Sequence, residues 1–305
     1  MPRVSVLVTC YNHLRFLPAA YEGVLNQTYK DWEIITIDDG STDGTREWLS
    51  QRSEPVTRMF NEKNLGTYGS INVALSHAKG EFIAILNDDD LWAPEKLQKQ
   101  VELLDSHPNV GLVHTDGSFI DGDGKPMEGT PLGFEFPRFE TGDVLLGLVY
   151  QNKIIASGAM ARRECFDQLG GFNEEFFGSG DWEMWFRIAE RWQVGFVPEP
   201  LTFYRVHGDN ASHKLERIWR DDQMLREWIA AELDKIDKDR FPEQDLRRAK
   251  AHNWACLGTV RALNGNPAAG RKAYAESIHL APERIKSYLR YAATLLPAPI
   301  FRKLL

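Results

Sequence analysis

Aspartates gather at the ends of two strand-like apolar runs in this 305-residue chain. Ile34-Ile35-Thr36-Ile37 leads into Asp38-Asp39-Gly40-Ser41-Thr42-Asp43-Gly44, and Phe82-Ile83-Ala84-Ile85-Leu86 leads into Asn87-Asp88-Asp89-Asp90. An apolar, β-branched run of this length reads as a buried parallel strand. Such a strand delivers the residues after it to the carboxyl edge of a sheet, where open α/β folds bind ligands. Carboxylates crowded at one edge repel one another and want a cation. Asp, Ser and Gly also serve as turn and helix-cap residues, which is the plainer account of either cluster alone. Two such clusters, each ending a strand, favour the cation.

The elements that must position these residues alternate through the first half. A strand over Val4 to Thr9 runs through the polar turn Cys10-Tyr11-Asn12-His13 into a helix from about Leu14 to Asn26, where Phe16, Ala20, Val24 and Leu25 recur at helical spacing. Next come strand Trp32 to Ile37, a helix reaching about Arg52, a short strand near Val56 to Phe60, a helix over Tyr68 to Ala78 and strand Phe82 to Leu86. That order predicts right-handed crossovers and a mainly parallel sheet. Beyond a helix from about Pro94 to Ser106 and a strand over Val110 to Thr115, Asp121-Gly122-Asp123-Gly124 reads as a hairpin tip, since the further ligands of a calcium loop are missing. The span Glu128 to Pro137 reads as a mobile loop that can cover a site. Gly178-Ser179-Gly180 opens a helix whose first turn holds Asp181, and Val194 to Val197 forms a strand that Pro198 and Pro200 break.

Beyond about Asn210 the texture is wholly helical, so the expected division is residues 1–210 and a helical extension over 211–305. Within the extension, Ala255 to Leu263 and Ala268 to Leu280 flank Asn264-Gly265-Asn266-Pro267 as a single tetratricopeptide-like hairpin, read as a cap packed on the main domain. The apolar ending Tyr288 to Leu305, with Arg290, Arg302 and Lys303 and the breakers Pro297 and Pro299, suits core packing better than an interfacial membrane helix, although peripheral membrane association stays open.

Hydrophobic residues at 43%, charged residues at 26% and a net charge of −8 describe a globular acidic protein and exclude a nucleic-acid-binding surface, which needs a basic stripe. Cys10, Cys165 and Cys256 are scattered and odd in number, without metal-ligand spacing, as in a reducing cytosol. Met1-Pro2-Arg3 leads directly into a strand with no leader pattern, and no run approaches the roughly 20 apolar residues that span a bilayer. The expectation is a soluble cytoplasmic protein able to work at the cytoplasmic membrane face.

Five segments in order resemble the family 2 glycosyltransferases, inverting enzymes of the GT-A fold. They are Val4-Ser5-Val6-Leu7-Val8-Thr9-Cys10-Tyr11-Asn12, Asp38-Asp39-Gly40-Ser41-Thr42-Asp43, Asn64-Leu65-Gly66, Leu86-Asn87-Asp88-Asp89-Asp90 with Pro94-Glu95-Lys96-Leu97, and Gly180-Asp181-Trp182-Glu183-Met184-Trp185. The resemblance spans about residues 1 to 210 and implies an α/β, Rossmann-like, mostly parallel sheet flanked by helices. It implies a nucleotide-sugar donor contacted by Thr9, Tyr11, Asp39, Asn64 and Asp88, with Asp39 accepting the imide N–H of uracil and Tyr11 stacking on the base. Asp89 and His207 would hold Mn²⁺ or Mg²⁺, and Asp181 would be the catalytic base. An Arg that many relatives carry near the Asn64 helix is replaced by Ile71-Asn72, which favours uridine.

Two positions depart from the family pattern: Asn87 stands at the first place of its Asp-x-Asp, and Gly180 where a Glu usually precedes the base. The implied activity is metal-dependent transfer from a UDP-sugar to a hydroxyl on a glycan, a lipid-linked glycan or a protein. The departures keep a noncatalytic nucleotide-sugar or glycan-binding module as the rival. A sugar nucleotidylyltransferase would need a basic Gly-rich loop where Thr9-Cys10-Tyr11-Asn12 stands, and a haloacid-type phosphatase an Asp-x-Asp-x-Thr/Val that Asp38 to Thr42 does not supply.

Overall fold

The computed structural model describes residues 1–53, 56–133, 135–210, 213–237, 239–297 and 300–301. Two compact units emerge, one from Met1–Val144 with Asn152–Asn210 and one from Leu145–Gln151 with Ala211–Leu305. In the first, β1 (Val4–Cys10), α1 (Leu17–Leu25), β2 (Trp32–Asp38), α2 (Thr45–Ser50), β3 (Thr57–Phe60), α3 (Gly66–His77) and β4 (Phe82–Asn87) alternate as their apolar patterning predicts. Every residue of β1 is buried, as a central parallel strand covered on both faces must be. In register, Thr9 lies beside Ile37 on β2 and Asn87 on β4, so the residues just past all three strands emerge at one level. Val6, Val8, Ile34, Leu86 and the α1 side chains Leu17, Tyr21 and Val24 share the core beneath.

The unit continues with β5 (Leu91–Trp92), α4 (Lys96–Ser106) and β6 (Val110–Ile120). The chain then contributes α5 (Leu145–Tyr150) to the second unit and returns as β7 (Met160–Arg162), α6 (Arg163–Leu169), α7 (Gly180–Ala189) and β8 (Gln193–Arg205). The eight strands lie in the order β3-β2-β1-β4-β7-β6-β8-β5. Strands β3 to β4 are parallel throughout, β6 pairs β8 in parallel, and β7 and β5 are antiparallel to their neighbours. The sheet is therefore mostly parallel with helices packed along it, as expected.

One boundary differs. β8 runs through Pro198 and Pro200 instead of stopping, because its register with β6 jumps from Thr115–Val197 to Asp116–Pro200. Pro198 thus falls in an irregularity where the ladder needs no N–H donor. The turn after β6 forms as read: Asp121 Oδ1 accepts the N–H groups of Asp123 and Lys125 at 2.8 and 2.9 Å, and Gly124 takes a positive φ of 83°. Between Met127 and Phe139 the described residues form neither helix nor strand.

The second unit gathers α5 with α8 (Leu215–Leu233), α9 (Glu243–Leu263), α10 (Pro267–Leu280) and α11 (Ile285–Ala293). Gly265 at φ 88°, Pro267 in the first turn and Asn266 capping Ala269 N–H make the tight α9–α10 hairpin. A Cβ on Gly270 would stand 2.8 Å from the Gly258 carbonyl, so only glycine lets the two helices approach this closely. No described helix is long and apolar enough to cross a membrane.

Candidate functional site

The turns after β1 and β2 are latched together, and most polar residues of the turn after β2 serve the latch. Asn12 at φ 55° donates its N–H to Ser41 Oγ at 2.9 Å and accepts Thr42 N–H on Oδ1 at 2.8 Å. Asp43 accepts Leu14 N–H on one oxygen and Thr45 N–H and hydroxyl on the other, starting α2. For Ser41 and Asp43 the turn-and-cap account holds.

Asp39 is different. Buried at the end of β2, it gives its N–H to the Cys10 carbonyl, and its carboxylate accepts Asn61 Nδ2 at 2.9 Å, Leu65 N–H at 2.8 Å and Gly66 N–H at 3.0 Å. A negative charge thereby sits on the first N–H groups of α3, where the helix dipole favours it. Asn64 is exposed beside it, its Oδ1 also accepting Gly66 N–H at 3.0 Å. Tyr11 is 46% exposed at the same edge, and Thr9 is buried one register step below. Asn72 is committed elsewhere: it donates to Phe172 O and Glu174 and accepts Phe172 N–H.

Beside this edge, at the end of β4, lies the second carboxylate group. Asp88 accepts Tyr11 N–H at 2.9 Å, and its other oxygen is 2.8 Å from His13 Nδ1. Asp89 is 3.0 Å from His207 Nε2, and the two imidazoles meet edge to face with centroids 5.2 Å apart. Donor atoms of His13, Asp88 and Asp89 all lie within 4.8 Å of one another. Burial, with the neighbouring Asp89 charge, pushes the Asp88 pKa up to about 6 against the pull of His13. For His13, burial acts against the charged ring, but the hydrogen bond to Asp88 and the surrounding carboxylates prevail and raise it to about 9.

Two carboxylates and an imidazole crowded at this range suit a hard divalent ion such as Mn²⁺ or Mg²⁺, which would relieve the repulsion that disfavours ionised Asp88. Asp90 faces away. Its carboxylate accepts the Ser157 hydroxyl at 2.5 Å and Arg205 N–H at 2.9 Å, which makes it a bracket between β4 and β8. Arg205 completes that bracket through Nε to the Asp89 carbonyl and Nη1 to the Asp121 carbonyl.

Asp181 stands one residue inside α7, after the N-cap Ser179 and Gly180, so it is not the cap. Its Oδ1 accepts Trp182 N–H at 2.7 Å and lies 3.5 Å from the Tyr68 hydroxyl, while Oδ2 accepts Asn152 Nδ2 at 3.3 Å. Burial raises its pKa to about 6, and these hydrogen bonds hold it from rising further. At neutral pH the group is mostly ionised yet basic enough to accept a proton. Below it, Arg187 joins Glu183 and the carbonyls of Leu169 and Gly171, tying α7 to the loop ahead of it.

The structure thus places Thr9, Tyr11, Asp39 and Asn64 along the edge of β2 and β1, and Asp88 together with Asp89, His207 and His13 after β4. The sequence alone does not point to His13, Tyr68 or Asn152. His13 sits in a segment that reads as a polar turn, and its spacing of 75 residues from Asp88 carries no pattern.

Comparison with known proteins agrees with this geometry. The model of the family described as glycosyl transferase family 2 matches residues 5–170, just over half of the chain. The Bacillus subtilis protein EpsE, named as a glycosyltransferase, is 32% identical over 220 residues, covering 70% of this chain and 76% of that protein. Among solved structures, Staphylococcus aureus TarS in complex with UDP-GlcNAc superposes with a TM-score of 0.68 at 17% identity, covering 93% of this chain and 83% of that one. The mannosyltransferase PcManGT of Pyrobaculum calidifontis, in complex with GDP-Man and Mn²⁺, gives 0.60 at 22% identity, covering 99% and 83%. The two structures speak for the fold; the family model and EpsE carry the family. The ordered motifs, the sheet they build and these matches together place the chain in glycosyl transferase family 2, as a glycosyltransferase of the GT-A fold.

Proposed function

We propose that the protein is a metal-dependent inverting glycosyltransferase that moves a sugar from a UDP-sugar to an acceptor hydroxyl on a glycan, a lipid-linked glycan or a protein. The observation that carries this reading is the meeting of His13, Asp88 and Asp89 at the carboxyl edge of β1 and β4, where strand order reverses and open α/β sheets bind nucleotides. Asp39 reads the uracil imide with lone-pair capacity that its three backbone and amide donors leave over, and the exposed Tyr11 face stacks on the ring. Asp88, Asp89 and His207, with His13, would hold the cation. Such an ion neutralises the donor diphosphate and stabilises it as a leaving group.

Asp181 takes the proton from the acceptor hydroxyl as that oxygen attacks the anomeric carbon on the face opposite the diphosphate. One displacement inverts the configuration. TarS, solved with UDP-GlcNAc, and PcManGT, solved with GDP-Man and Mn²⁺, share this fold, which is consistent with a nucleotide-sugar donor and a divalent cation here.

The test is a screen of UDP-sugars with Mn²⁺, measuring thermal stabilisation and released UDP together. Stabilisation by [L] well above Kd should reach a few kcal/mol, with slow metal-dependent UDP release even without acceptor. Stabilisation without turnover by any donor, in the presence of candidate acceptors, would favour a binding module instead.

A further inference from the structure

Helix α11 turns its polar side inward and its apolar side out. Ser287 on the helix and Thr294 at its C-cap are buried: the Ser287 hydroxyl lies 2.8 Å from that of Ser277 on α10, and the Thr294 carbonyl accepts Arg271 Nη1 at 3.2 Å. On the other side Ile285 is 70% exposed, Tyr288 45% and Leu289 66%, and just past the helix Leu295 is 67% and Leu296 43% exposed. Positions 285, 288, 289 and 292 recur at three- and four-residue steps and so form one stripe, and Leu295 and Leu296 add exposed apolar surface just past its end. An amphipathic helix so oriented does not serve its own core. The expectation that the ending packs into a core is therefore not met by α11, while residues 298–299 and 302–305 of that ending lie outside the described residues.

Charge identifies what covers the stripe. From Arg284 to Leu305 the sequence carries Arg284, Lys286, Arg290, Arg302 and Lys303 and no acidic residue, in a chain of net charge −8. Glu283, just before, is within 3.6 Å of Arg247. Lys286 is exposed at the border of the stripe, and the half-buried Arg290 lies one turn further on, toward the packed side. An antiparallel two-fold pairing through α11 would set the basic border of one copy against that of the other, whereas an anionic lipid surface offers hydrocarbon to the stripe and phosphates to its rim.

We propose that α11 is an interfacial membrane anchor. It lies on a bilayer of anionic phospholipid with Ile285, Tyr288, Leu289 and Leu296 in the boundary between headgroups and acyl chains and Lys286 at the phosphates. The proposal concerns a surface of the second unit and stands or falls independently of the transfer reaction.

Co-sedimentation of the full chain with phosphatidylcholine vesicles, with and without phosphatidylglycerol, tests it. Binding should require phosphatidylglycerol and weaken with salt. Lys286→Gln should lower the partition coefficient about fivefold, and Leu289→Glu by about tenfold or more. Lys286 and Leu289 are exposed, so the melting temperatures of these two variants should not change, which separates lost docking from lost folding. In Leu289→Trp, whose indole reports insertion, emission should shift to the blue on anionic vesicles. The proposal is overturned if the wild-type chain ignores anionic vesicles, if Leu289→Glu binds them as well as wild type, or if Leu289→Glu instead splits a dimer that shows no vesicle binding.

Discussion

The ring of Tyr68 fills the space that a side chain on Gly180 would take: a Cβ built on Gly180 would stand 2.7 Å from the ring's Cε2. Tyr68 is itself fixed, buried on the first turn of α3 and stacked on Phe172 with centroids 5.7 Å apart. The glycine that departs from the family pattern is thus matched by an aromatic ring whose hydroxyl reaches toward Asp181. Gly180→Ala should destabilise the fold by about 1–3 kcal/mol through overpacking. In a Tyr68→Ala background the same change should cost much less. Thermal denaturation of the four proteins in a double-mutant cycle measures the coupling, and additive effects would separate the two residues.

Asp181 carries a pH prediction. With its folded pKa raised to about 6, the native state binds its proton more tightly than the unfolded chain does. The stability it costs is therefore absent at low pH and appears as pH rises from about 4 through about 6. Asp181→Asn should match wild type below that window and exceed it above pH 6, by up to about 3 kcal/mol. Transfer should run the other way: wild-type kcat/KM should fall as pH drops below about 6, and the Asn variant should lose about 10²-fold or more at every pH while still binding UDP. Urea titrations across pH and a transfer assay read the two halves separately, and NMR of the product linkage reads inversion.

The carboxylates after β4 predict a division of labour. Asp89→Ala should abolish the metal dependence of UDP binding, and His13→Ala should weaken it, because each removes a donor from the crowded group. Asn87→Ala should do much less. Isothermal calorimetry of UDP with and without Mn²⁺ distinguishes them; unchanged Mn²⁺ enhancement in Asp89→Ala would take Asp89 out of the site.

Asp39→Ala should show two effects at once. Loss of a charged hydrogen bond to the base should weaken UDP by about one to two orders of magnitude, with or without metal. Loss of the acceptor for Leu65 and Gly66 N–H should also lower the melting temperature. A variant that melts early yet binds UDP normally would leave Asp39 as the start of α3 and nothing more.

Apolar patterning alone determined which segments became the central strands. Phe82 to Leu86 is wholly apolar and Val4 to Cys10 is so apart from Ser5 and Thr9, which with their short length suits strands covered on both faces, and their carboxyl ends present the polar residues next in the chain. Asp39, Asp88 and Asp89 could therefore be placed at one sheet edge from local order alone. Periodicity likewise located the α9–α10 hairpin, since Gly265 and Pro267 act within a few residues of themselves. The features that lay beyond the sequence depend on contacts between distant segments. His13 beside Asp88, Tyr68 against Gly180 and Asn152 on Asp181 join residues separated by 75, 112 and 29 positions, a pairing that no short-range pattern encodes. The path of β8 through two prolines was decided by the register of β6, and the outward stripe of α11 by which of its sides met α10. An amphipathic sequence specifies that two faces exist; only packing in three dimensions decides which of them meets the protein.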